Sequence, residues 1–153
     1  EATKREQLLS LNSRISNAEA AGFPDLELSD INGQKVKLSS LKSKIVMIYF
    51  WNPSDAAQKM FNQDEMKPIY EEFHDKGFDI YSVAVGPDKT TWASVVKGQK
   101  LPWINVCDSE GSSLNVYNVG SLPLVHFIID GTISKVQGVK DGASLRKFLN
   151  SEL

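Results

Sequence analysis

The chain has 153 residues, 41% of them hydrophobic, enough for one ordinary domain with a real core. A formal net charge of −2, with no basic run, makes nucleic acid a poor partner. No stretch approaches the about 20 apolar residues that a membrane-crossing helix needs, and the longest apolar run, residues 45–51, has the length of a strand.

The first residue is Glu and not Met, so the chain is expected to be a processed product or a trimmed piece. Any signal peptide, lipid anchor or upstream domain would then lie outside it. Leu8, Leu11, Ile15 and Ala18 fall at 3-4-3 spacing between polar residues. That spacing predicts an amphipathic helix within 1–22, ended by Gly22 and Pro24, which packs on the domain or connects it to an upstream part.

The domain proper is assigned to 23–153. Residues 26–38 read as a hairpin, with Ile31-Asn32-Gly33-Gln34 as its turn, because Asn and Gly tolerate positive φ. A short helical turn at 39–42 leads into a strand over 45–50, whose near-continuous apolar run suits burial on both faces. A helix is expected from about Asp55 to His74, kinked or interrupted by Pro68, which lacks a backbone donor, and closed by Gly77. Strands follow at 78–85 and 104–107, with a helix at 88–98, capped by Asp88, between them. A short helix at 112–118 precedes a hairpin of strands 124–129 and 132–136, turned by Asp130-Gly131. A helix over 141–153 closes the chain. The order β-β-β-α-β-α-β-α-β-β-α predicts a central mixed sheet flanked by helices.

The single cysteine, Cys107, rules out a disulfide within the chain and leaves the redox compartment open. It reads either as a one-cysteine redox centre or, more simply, as a small buried hydrophobe; no Lys, Arg or His adjoins it in sequence, and Asp108 disfavours a thiolate. His74 is read as a helix-end residue and His126 as a core or edge residue, since their spacing does not suit a metal. Trp51, Trp92 and Trp103 are read as packing residues, with a positional case for function only at Trp51. No phosphate loop, serine-nucleophile elbow or metal cluster is visible, and no cofactor is expected.

Residues 23–51, then 70–85, then Tyr117 with Leu122-Pro123 and the FIIDGTI run resemble the thioredoxin-like superfamily in its TlpA/ResA-like, AhpC/TSA-related branch. The resemblance implies a thioredoxin-like α/β fold with an N-terminal hairpin and a leading helix. It also implies an extracytoplasmic location (periplasm or cell envelope) and thiol–disulfide exchange with partner proteins. In that family the strand-to-helix junction reads F-W-x-x-W-C-x-x-C-[RK]. Here Phe50, Trp51 and Lys59 keep the frame, while Asp55 and Gln58 occupy the two cysteine positions.

A thiol at a helix N-terminus is stabilised as thiolate by unsatisfied N–H groups and the helix dipole, and a second thiol resolves the mixed disulfide. Asp55 and Gln58 can do neither, so dithiol chemistry at this site is excluded by atom type. The pair instead suits an acidic capping box, Asp55 accepting from the Gln58 N–H and Gln58 reaching back to the Asp55 N–H. Capping is the simplest reading of Asp55; partner recognition at the helix end and acid–base chemistry are the others.

The resemblance further implies a cis bond at Leu122-Pro123 beside the site. The run from Pro123 to Asp130 is one residue longer than the family spacing, which suggests a bulge or local shift. A surviving peptide groove would be lined by Trp51, Asp55, Leu122 and Pro123. Three functions follow as expectations. The first is a redox-inactive domain that binds extended protein or peptide segments beside the degenerate site. The second is an oxidoreductase-related protein acting through Cys107 or a partner thiol. The third is a structural domain of a longer cell-envelope protein, with helix 1–20 as its connection.

Overall fold

The computed structural model describes residues 22–153 apart from Lys135 and Gln137. The leading helix expected within 1–22 lies outside the described residues, apart from Gly22 itself. Strands β1 (Glu27–Ser29) and β2 (Lys35–Lys37) form the expected hairpin. A 3-10 turn, Leu38–Ser40, leads into β3 (Ile45–Trp51). The strands β4 (Phe78–Val85), β5 (Ile104–Asp108), β6 (Leu124–Ile129) and β7 (Thr132–Ser134) complete one seven-stranded sheet in the order β2-β1-β5-β4-β3-β6-β7.

The β3–β4 and β4–β5 pairs are parallel, and β3–β6, β6–β7, β1–β5 and β1–β2 are antiparallel. The bulge or shift suggested after Pro123 does not fall within β6: residues 124–129 pair with 50–45 without interruption. The last hairpin turns on Asp130 and Gly131, at φ 52° and 82°, the paired left-handed conformations that a two-residue turn of this kind requires.

All seven residues of β3 are buried, as its continuous apolar run predicts for a central strand. Alternate side chains feed opposite layers. Ile45, Met47, Tyr49 and Trp51 pack under the helices that link β3 to β4 and β4 to β5, and under the C-terminal helix. Val46, Ile48 and Phe50 pack with Phe23, Leu26 and Tyr117 on the other face. The chain steps β3, β4, β5 in one direction across the sheet, so right-handed crossovers place both linking helices on the same face.

The helical run after β3 has four parts: α1 (Ala56–Phe61), a π-helical turn (Asn62–Met66), α2 (Lys67–Phe73) and a 3-10 turn (His74–Lys76). The interruption expected from Pro68 takes the form of that widened turn, which ends just before the proline enters the first turn of α2. Gly77, at φ 110°, terminates the run in the left-handed conformation. Helices α3 (Lys89–Gln99), α4 (Ser112–Val116) and α5 (Gly142–Glu152) follow. Asp88 caps α3, and Asp141 with Ser144 forms a complete capping box on α5.

Tyr49, Tyr81 and Tyr117 are buried, and burial raises each phenol well above its ordinary value of 10.0. A group whose folded pKa is raised leaves stability intact below the unfolded pKa and withdraws it as pH climbs toward the folded value. The urea midpoint is therefore expected to fall steeply above about pH 10, with phenolate absorbance for these three appearing together with unfolding. Independent ionisation in the folded protein would contradict their burial.

Candidate functional site

Three segments meet at the C-terminal end of β3: the start of α1, the loop before β6, and the stretch between β7 and α5. The Leu122–Pro123 peptide bond there is cis. Between them lies an open cleft of about 670 Å³. Met47 and Tyr49 of β3 line it, with Asp55, Ala57, Gln58 and Phe61 from the α1 side. Leu122, Pro123 and Val125 line the loop side, and Val136, Val139 and Leu145 the third. Asp55, Lys140 and Asp141 are its charged lining residues among those described.

Asp55 is the N-cap of α1, and its Oδ1 accepts from the Gln58 backbone N–H at 3.0 Å. The reciprocal half of the expected capping box is not made. The Asp55 N–H donates to the Asn52 carbonyl at 3.0 Å, closing a turn, and Gln58 Oε1 accepts instead from the Asn52 N–H at 2.6 Å. Gln58 is buried and ties the end of β3 to the first turn of the helix. The first cysteine position has therefore become a cap and the second a strut.

Trp51 does not line the cleft. Its side chain is 0% exposed and stacks on Tyr49, with centroids 6.2 Å apart and planes 6° from parallel, inside the helix-covered layer. Parity does not separate the two, since Trp51 and Tyr49 point to the same face; Tyr49 packs against Phe61 of α1, with ring centroids 6.1 Å apart, and borders the cleft, whereas Trp51 lies wholly within the covered layer. Asp55, Leu122 and Pro123 do meet there, and Tyr49, Phe61 and the 136–145 wall join them unannounced by any motif. The only signal for that wall was the short apolar pair Val136 and Val139 after a turn.

Residues 20–136 match the model of the AhpC/TSA family. The chain belongs to that family. It is 32% identical over 132 residues to the thiol-disulfide oxidoreductase ResA of Geobacillus thermodenitrificans, an alignment covering 85% of this chain and 73% of that protein. Among solved structures it resembles the thioredoxin domain of a thiol-disulfide oxidoreductase from Bacteroides vulgatus, at TM-score 0.72 and 23% identity, over 84% of this chain and 93% of that one. It also resembles a secreted disulfide oxidoreductase of Mycobacterium tuberculosis, at TM-score 0.66 and 19% identity, over 87% and 98%. The fold is thus the thioredoxin-like α/β fold, in the ResA/TlpA-related branch of the AhpC/TSA family, with one cysteine and no Cys-x-x-Cys motif.

That cysteine is closer to the site than its place in the sequence implies. Trp51 pairs with Ala84 and Ala84 with Cys107, so Cys107 lies in the same row and layer as Trp51, two strands away, or about 10 Å by strand spacing. It is 7% exposed, and its thiol faces the Gly86 carbonyl at a weak 3.8 Å. Burial pushes the thiol up from its ordinary value; Lys89, brought near by the fold, opposes this and Asp108 adds to it. Cys107 also borders a second cleft, of about 840 Å³, between the β1–β2 hairpin and α3, whose lining mixes carboxylates and lysines.

None of the remaining polar residues, His74, His126, Asp108 and Asn62, lines the cleft beside α1. His74 caps α2, exposed, with its ring 4.7 Å from that of Tyr70. His126 is half-buried, its Nε2 3.0 Å from the Tyr117 carbonyl. Asp108 is buried and takes the N–H groups of Gly111 and Ser113 at 2.9 and 2.7 Å, shaping the loop into α4. Asn62, at the π-helical turn, is 0% exposed, and neither end of its amide has a hydrogen-bond partner among the described residues. Among those residues no group of three or more His, Cys, Asp or Glu is placed to hold a metal, and no helix is long and apolar enough to cross a membrane.

Proposed function

We propose that this protein binds extended segments of partner proteins in the cleft beside α1, without dithiol exchange of its own. One observation carries the reading. Leu122 borders an apolar cleft, and among the described residues its backbone makes no hydrogen bond. An extended segment can pair with that backbone as an added strand, while alternate side chains enter the cleft. A location outside the cytoplasm accords with the secreted relative and with the family resemblance.

The test is a nuclear magnetic resonance titration with blocked, extended peptides. Amide shifts are expected to cluster at 55–61, 122–125 and 136–145, and Leu122→Asp should weaken binding at least about tenfold, since it puts an uncompensated charge on an apolar wall. Shifts centred on the β1–β2 hairpin and α3 would move the binding site to the other cleft.

A second reading is favoured by the relatives, which are named for thiol–disulfide exchange. In it, Cys107 takes part in an altered redox reaction with a partner thiol, its place in the Trp51 row giving the geometric argument. That reading requires the thiol to react in the folded protein, against its burial and raised pKa.

A further inference from the structure

The cleft is apolar along most of its wall, yet two features within it call for a polar occupant. Tyr49 is 1% exposed, and its hydroxyl has no hydrogen-bond partner among the described residues. A buried hydroxyl left in that state has lost its hydration without a replacement. Asp55 lies close enough for its carboxylate to push the Tyr49 phenol further up, beyond the effect of burial. Only Oδ1 of that carboxylate is engaged, by the Gln58 N–H; Oδ2 has no protein donor among the described residues.

The charged lining is unbalanced in the same sense. Asp55 and Asp141 contribute two carboxylates against the one ammonium of Lys140. The Ser144 N–H and hydroxyl hold the Asp141 carboxyl below its ordinary value, and Lys140, its immediate neighbour in the chain, adds to this. Asp55 is therefore the carboxylate left for a ligand. It lines the same cleft as Tyr49, whose hydroxyl accepts as readily as it donates.

We infer that the cleft selects a lysine or arginine side chain from an extended partner segment, its aliphatic stem along Met47, Phe61 and Leu122 and its cationic head between the Asp55 carboxylate and the Tyr49 hydroxyl. A long basic side chain suits both halves of the cleft, because its methylenes bury against apolar walls while its head group keeps polar contacts. The anion at the helix start, a thiolate in the relatives' pattern, becomes the counter-charge of a recognition site. The inference rests on the cleft being a segment-binding site.

The experiment compares three blocked peptides that differ only at one central residue: lysine, norleucine or glutamate. Binding to the full chain is measured by calorimetry at low and high salt. The lysine peptide is expected to bind roughly tenfold tighter than the norleucine peptide, the scale of one charge-assisted hydrogen bond, and to lose that margin in high salt. Asp55→Asn, which keeps an oxygen for the Gln58 N–H and so preserves the cap, should abolish the margin between the lysine and norleucine peptides. Equal affinity for lysine and norleucine overturns the selection and leaves the cleft reading standing. A lysine preference that survives Asp55→Asn also overturns it, assigning the preference to the protein's overall negative charge. Absence of binding by all three peptides overturns the cleft reading and the inference together.

Discussion

Asp55→Cys combined with Gln58→Cys is expected to give a protein that reduces disulfides, from a starting chain that has no dithiol to do so. Asp55 already holds the N-cap, with its side-chain oxygen 3.0 Å from the Gln58 N–H. A sulfur in that place meets the same donors and the same positive helix end, which lower a thiol below its free value of about 8.5. Gln58 is buried three residues on, where a second sulfur falls in bonding range of the first, since α-carbons one helical turn apart lie within the usual disulfide span.

Catalysis would run by attack of the thiolate introduced at position 55 on a substrate disulfide, expelling one substrate thiolate and forming a mixed disulfide. Attack by the second introduced thiol would then release the other substrate thiolate and leave the protein oxidised. A supplied dithiol reductant closes the cycle. The substitution also has a structural cost: the half-buried Asn52 N–H loses Gln58 Oε1, worth about 1 kcal/mol for an ordinary hydrogen bond. Insulin precipitation with dithiothreitol, beside a urea titration, reads both effects. A folded double variant with no turnover and an unshifted thiol would show that the site has diverged beyond its two missing sulfurs.

The second large effect concerns Cys107. Its alkylation in the native protein is expected to be slower than in the urea-unfolded chain by a factor on the order of 100, the population effect of about 3 kcal/mol of opening. The native pH transition should lie above the free-thiol value, because burial, reinforced by Asp108, outweighs Lys89. The linkage sign agrees: a thiol kept neutral by the fold leaves stability intact below its unfolded pKa and reduces it as pH rises toward the folded one. Fast native labelling, with a transition below about 8.5, would overturn this assignment and favour redox chemistry through Cys107.

The sequence made the sheet legible because β3 carries an unbroken apolar run, and that run is buried over its whole length. The hairpins were legible from Asn32-Gly33 and Asp130-Gly131, although in the first only Gly33 takes positive φ, in a turn closed by its N–H on the Asp30 carbonyl, while in the second both residues do. Asp55 and Asp88 announced two helix starts from local preference, and both cap their helices; the Asp141 cap was not read from the sequence. The loss of dithiol chemistry needed only atom types. Each of these signals acts within a few residues.

The site itself depended on contacts between distant segments. Whether Trp51 or Tyr49 faces the cleft turns on where α1 crosses the sheet, which residue parity leaves open. The contact of Gln58 with Asn52 depends on the turn having used the Asp55 N–H first. The nearness of Cys107 to Trp51 comes from strand register, and the Val136–Leu145 wall from the return of the chain after β7. The sequence by itself determined the elements, their caps and the missing chemistry, because those follow from short-range backbone and side-chain preferences. Only the tertiary structure decided which side chains share a cleft, because long-range strand pairing and helix packing bring them together.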